Sequence, residues 1–113
     1  MRLETKTYLY EIKQACRLIA EFTADRTFDD YSTNPLLRSG VERQLEIIGE
    51  AINMLSRVDP DVAQRIPEHK KMISMRNRLI HGYSTVNDDI VWDAVQHDLR
   101  ELMRHVEGLL GEG

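Results

Sequence analysis

Apolar residues recur at spacings of three and four along four long stretches of the chain, and no stretch alternates with period two. Over residues 5–24, Leu9, Ile12, Ala15, Cys16, Ile19 and Ala20 form one stripe, while Glu11, Lys13, Gln14, Arg17 and Glu21 fill the other face. This predicts a first helix. Residues 25–34 are polar and read as a connector with one helical turn around residues 28–31. Asn34-Pro35 then supplies an N-cap followed by proline at the first helical position. The second helix runs to about Val58 on Leu37, Val41, Leu45, Ile48, Ile52 and Leu55. Gly49 inside it costs roughly 1 kcal/mol relative to alanine, and its expected use is to let a neighbouring helix approach closely.

Asp59-Pro60 ends that run, and residues 61–67 form a short helical turn before a second proline break. A third helix over 68–81 turns Met72, Ile73, Leu79 and Ile80 inward and leaves Lys70, Lys71 and Arg78 for solvent or ligand. After a connector at 82–86, Asn87-Asp88-Asp89 caps a last helix over 88–109, with Val91, Val95, Leu99, Leu102, Val106 and Leu109 at helical spacing. Gly108, Gly111 and Gly113 mark a fraying tail. The expected fold is all-α: an up-and-down four-helix bundle with one short extra turn, in a single domain over 1–113. Tyr8, Tyr10, Tyr31 and Trp92 are expected in the core or at an interface.

Composition narrows the function. The 113 residues are 42% hydrophobic and 30% charged, an ordinary globular balance. No apolar run approaches the roughly 20 residues that span a bilayer, and the first residues lack the apolar core of a secretion signal. Cys16 stands alone and cannot make an internal disulfide, so the expected compartment is the cytoplasm. The net charge of −4 argues against a general coat for nucleic acid. It is unevenly spread, however. Residues 65–78 carry Arg65, Lys70, Lys71, Arg76 and Arg78 against Glu68 alone, whereas residues 79–113 carry seven acids against Arg100 and Arg104. A basic patch on an acidic body suits selective phosphate contact; the same pattern also describes a solvated helix face.

The densest chemistry lies in Arg76-Asn77-Arg78-Leu79-Ile80-His81-Gly82-Tyr83. Gly82 is a helix-stop residue, which puts His81 in the last helical turn and Tyr83 just beyond it. Asn77 and His81 are four apart and share a face. Arg76 lies about 140° round from His81 on an ideal helix, within reach through its long side chain and the fraying end. A fixed cation beside a group that titrates near neutrality suits the handling of phosphate. A lone histidine at a helix end is also a common structural feature. Glu50, between apolar neighbours on the second helix, pairs with an arginine or orients His81 or Arg76 from there. His69, His97 and His105 show no ligand pattern. A surface metal site from His97, Glu101 and His105 is conceivable, but no metal or cofactor is expected.

The Arg-x4-His-x-Tyr arrangement, with Asn77 directly after Arg76, resembles the signature of HEPN domains, and more closely that of the HepT-like toxin branch. Leu45-Glu46-Ile47-Ile48-Gly49-Glu50-Ala51 resembles that branch's second helix, and the similarity covers most of residues 5–110. The resemblance implies a metal-independent endoribonuclease, the toxin of a type VII-like toxin–antitoxin pair. In it the ribose 2′-hydroxyl attacks the adjacent phosphate, His81 moves the proton and Arg76 neutralises the developing charge. Asn77 would hold the imidazole or a phosphate oxygen, with Arg78 and Glu50 in support. Such chemistry needs a base and an acid, and a two-fold homodimer joining two motifs supplies both.

Tyr83 admits three readings. It packs, or it stacks on a base or binds a phosphate, or, as the resemblance implies, it accepts AMP from a minimal nucleotidyltransferase antitoxin that silences the cleft. The implied partners are therefore RNA, that antitoxin and a second copy of the chain, with no membrane. The alternative is a non-catalytic helical module that holds a nucleotide or docks the nucleotidyltransferase.

Overall fold

In the computed structural model, which describes residues 1–82 and 86–112, the chain folds into seven helices. They are α1 (Leu3–Thr23), α2 (Phe28–Thr33), α3 (Pro35–Val58), α4 (Pro60–Gln64), α5 (His69–His81), α6 (Asp88–His97) and α7 (Leu99–Glu112). The caps explain most boundaries. Asn34 accepts a hydrogen bond from the Leu37 N–H at 3.1 Å, Asp59 one from Val62 at 3.3 Å, and Asn87 one from Ile90 at 3.1 Å. Thr27 and Asp30 form a reciprocal capping box that turns the expected single turn into α2. Asp25 adopts φ 59° in the turn beyond α1, a conformation aspartate tolerates better than most residues.

The longest helix, α3, lies between α1 and α5, and α1 packs in turn against α7. Leu9, Ile12 and Ile19 from α1 meet Leu45, Ile48, Ile52 and Leu55 from α3, with Met72 from α5 and Leu102 and Val106 from α7, all at most 1% exposed. The remaining side of the bundle, between the start of α5 and α7, is bridged by polar side chains. His105 Nδ1 lies 3.1 Å from Glu68 Oε1, Lys71 Nζ 2.6 Å from Asp98, and Arg65 Nη1 donates to Glu112 at 2.9 Å. Tyr31 is fully buried beneath Trp92, with ring centroids 5.4 Å apart, and its hydroxyl has no hydrogen-bond partner. Burial, then Glu42 and Asp88, pushes the Tyr31 phenol above its usual range.

Three expectations change. The last helix is two, α6 and α7, which meet at Asp98 with i→i−4 hydrogen bonds running on through it and its carboxylate turned to Lys71 on α5. The tail does not fray at Gly108 or Gly111, because buried Leu109 and the Arg65–Glu112 pair hold α7 in place to Glu112. Tyr10 is 53% exposed and its hydroxyl accepts from Gln14, so of the two expected places, core or interface, the core is removed.

Candidate functional site

Helix α5 carries the motif, and it contains no acidic residue at all. Met72, Met75 and Leu79 fix its buried face, which leaves Lys70, Ser74, Asn77 and His81 on the exposed one. The helix lies close against α3 at Gly49. A Cβ there would fall on the Arg76 Cβ and stand 2.7 Å from the Met72 carbonyl oxygen. Glycine is needed for close approach, as the sequence suggests, and the side chain it admits is Arg76 itself.

Arg76 is held by two side chains. Its Nη2 pairs with Glu50 Oε2 at 2.8 Å, and its Nη1 donates to Asn77 Oδ1 at 2.9 Å. Its Nε is buried without a hydrogen-bond partner. The side chain is 25% exposed against 48% for Glu50, so the pair sits at the rim rather than in the core. Glu50 thus faces Arg76, one of the two partners open to it. The two residues come together across the α3–α5 seam, which their distance in sequence conceals. The Asn77 oxygen is turned to Arg76, which leaves its amide nitrogen for any further partner.

His81 ends α5, exposed, and makes no hydrogen bond among the described residues. The Gly82 N–H donates to the Arg78 carbonyl at 2.8 Å and closes the helix. Gly82 has φ −132°, so it stops α5 without the left-handed conformation that usually explains glycine there. Arg76 and His81 make no hydrogen bond with each other. Tyr83, and with it its expected modification, lies outside the described residues.

Beside Arg76 runs a groove of about 440 Å³ between α1, α3 and α5. Tyr8, Ile47, Ala51, Met54 and Ile80 give it an apolar floor, and Glu11, Arg43, Glu46, Glu50 and Arg76 line its sides. Sequence reasoning named Tyr8 and Glu11 only as packing and surface positions and did not reach Arg43 or Met54, since nothing local marks residues of α1 and α3 as neighbours of Arg76. The basic patch also changes on folding. Arg65, Lys71 and Arg76 are each paired with an acid distant in the chain: Glu112, Asp98 and Glu50. The three groups of the conceivable metal site are engaged elsewhere: His97 with Asp93, Glu101 with Arg104, and His105 with Glu68. No cluster with metal-ligand geometry occurs among the described residues.

The arrangement offers a positioned guanidinium and an exposed imidazole on one acid-free helix, beside a groove with an apolar floor. Such a site can bind a phosphodiester and move protons at it. Comparison with known proteins points the same way. The chain is 36% identical over 112 residues to "Gamma-glutamylcyclotransferase and putative RNase MJ0434" of Methanocaldococcus jannaschii, a match that takes in 99% of this chain but only 50% of that protein. It is 32% identical over 106 residues to "Putative RNase MJ1380" of the same organism, covering 92% of this chain and 94% of the relative. It is 35% identical over 113 residues to "Probable ribonuclease HepT" of Thermococcus cleftensis, covering 96% and 98%. No solved structure gives a significant match. The profile described as "Ribonuclease HepT-like" matches residues 12–109, nearly the whole bundle with α5 and its motif inside, and the chain belongs to the HepT-like ribonuclease family.

Proposed function

We propose that the protein is a metal-independent endoribonuclease, the toxin of a toxin–antitoxin pair, with Arg76 and His81 as its catalytic residues. The observation that carries this reading is α5 itself: a helix without acids, in a chain of net charge −4, that fixes Arg76 through Glu50 and presents His81 to solvent. The ribose 2′-oxygen attacks the adjacent phosphorus while its proton passes to an imidazole. The P–O5′ bond breaks, and the departing oxygen takes a proton from a second acid. Arg76 meets the charge that gathers on the non-bridging oxygens. Glu50 and Asn77 hold the guanidinium in place, and Arg78 supports the strand.

One chain supplies one motif histidine, so the second proton donor comes from a two-fold copy whose motif faces the same cleft. Tyr83 follows His81 by two residues. AMP placed there by a nucleotidyltransferase antitoxin would set bulk and negative charge at the mouth of the site, an effective off-switch. The rival reading, a nucleotide-holding module without turnover, draws its support from the Glu50 carboxylate, which already offsets the Arg76 charge.

The test is cleavage of a mixed RNA pool in EDTA by the wild type and by His81→Ala, with Tyr83 checked by intact mass. The wild type should cut, and the variant should lose roughly 10²–10⁴-fold in rate. An unmodified wild type that cuts nothing would favour the holding module. Mixed dimers with one His81→Ala subunit should lose most of their activity. A full rate per intact site would refute the shared cleft.

A further inference from the structure

Lys70 lies on the same exposed face of α5 as His81, by way of Ser74 and Asn77, at successive steps of four, three and four residues. All four are exposed, and no apolar or acidic residue interrupts the stripe. The nearby acids are committed elsewhere: Glu68 faces His105 at 3.1 Å, and Asp98 holds Lys71 at 2.6 Å. Arg65 and Arg76 are paired as well. Lys70, by contrast, has no ionic or hydrogen-bond partner among the described residues. A cation without a counter-ion, in line with two neutral hydrogen-bonding side chains and an imidazole, matches the regular negative charge of a polynucleotide backbone.

We infer that the RNA strand runs along the exposed face of α5 from His81 to Lys70, where the ammonium grips a phosphate remote from the cut. This rests on the ribonuclease reading and specifies the substrate of that site. Eleven residues of helix at a rise of 1.5 Å span about 16 Å. At about 3.4 Å per phosphate in a stacked strand, that is about five nucleotides. Ser74 and Asn77 lie between, one helical turn apart, as neutral contacts to the intervening backbone. The enzyme therefore discriminates by length: an oligonucleotide must extend on one side of the scissile bond far enough to reach Lys70.

The test uses unmodified full-length protein with the His81→Ala substitution, so that RNA is bound without being cut. Fluorescently labelled single-stranded oligonucleotides, lengthened step by step on the 5′ or the 3′ side, are titrated at several salt concentrations. Affinity should rise with length on one side and level off near five added nucleotides. Adding Lys70→Ala should abolish that gain and lower the slope of log affinity against log salt by about 0.7, the value for one single-strand phosphate contact. Lys70→Arg should retain both, and Arg17→Ala, at an exposed position of α1, should alter neither. A Lys70→Ala effect no larger than that of Arg17→Ala, or no RNA binding at all, overturns the track. Wild-type cleavage that depends on His81 without a Lys70 effect keeps the ribonuclease and removes the track. A Lys70-dependent slope without cleavage by the wild type does the reverse.

Discussion

The side chain that Gly49 lacks is what allows Arg76 to lie along α3. A methyl group there would overlap the Arg76 Cβ and press on the Met72 carbonyl, and the latter is helix backbone that cannot rotate away. Gly49→Ala should therefore destabilise the fold by about 1–3 kcal/mol, as overpacking does, and lower RNA cleavage further by breaking the Arg76–Glu50 pair. Gly108→Ala is the contrast. Nothing lies within 4 Å of a Cβ at that position, so helix propensity alone should raise stability by up to about 1 kcal/mol. Urea unfolding of the two variants, with cleavage measured on each, checks both signs. The need for glycine at 49 was legible in the sequence, because glycine inside an otherwise regular amphipathic helix calls for a packing reason. That the neighbour would be Arg76 was not legible, since the contact depends on how two helices cross.

At the scale of elements, the boundaries follow from local chemistry wherever a cap or a proline sets them. Asn34-Pro35, Asp59-Pro60 and Asn87 all act where the sequence places them. No glycine or proline marks the junction of α6 and α7; Asp98 keeps right-handed helical angles, its N–H donates to the Ala94 carbonyl at 2.9 Å and its own carbonyl accepts from the Leu102 N–H at 3.0 Å, while its carboxylate meets Lys71 of α5. A second such link joins α1 to the start of α4, where the buried Thr5 hydroxyl donates to Asp59 Oδ2 at 2.8 Å. This hydrogen bond first, and then the Val62 N–H, hold the Asp59 carboxyl below the usual range against the opposing effect of burial. A depressed carboxyl adds stability that is present above its unfolded pKa and lost as pH falls through the folded one. Thr5→Val should thus be less stable than wild type at neutral pH, and the gap should narrow as pH falls below the usual carboxylate range and the carboxyl becomes protonated in both states. Melting temperatures across that range decide the matter. A gap that stays constant with pH would show that Thr5 acts by packing alone.

Across the whole molecule, charge is balanced between segments as well as within them. Three of the five cations gathered in residues 65–78, Arg65, Lys71 and Arg76, meet acids from α3 and from the acidic C-terminal third, so part of the uneven charge along the chain becomes cross-links in the fold. Arg65, Lys71 and Arg76 therefore read as part of a phosphate-binding patch in sequence and are paired with acids in space, whereas exposed Lys70 has no ionic partner among the described residues. Fold class was legible because helical periodicity is a local property. The pairings were not, because each depends on where distant side chains arrive once the core has closed.

The packing of α1 against α7 has a kinetic consequence. Cys16 sits at 3% exposure where the two helices meet, and burial, then the charge of Glu68, pushes its thiol up to about 12. A sulfhydryl both shielded and protonated is inert towards alkylating reagents until α7 lifts away. The chain thus carries its own clock. The labelling rate of Cys16 in native buffer should fall orders of magnitude below that of the unfolded chain, and should report how often the bundle opens at this seam. Labelling as fast as in denaturant would mean that α7 is detached for most of the time. With one thiol in the sequence, every modification event is assigned without ambiguity.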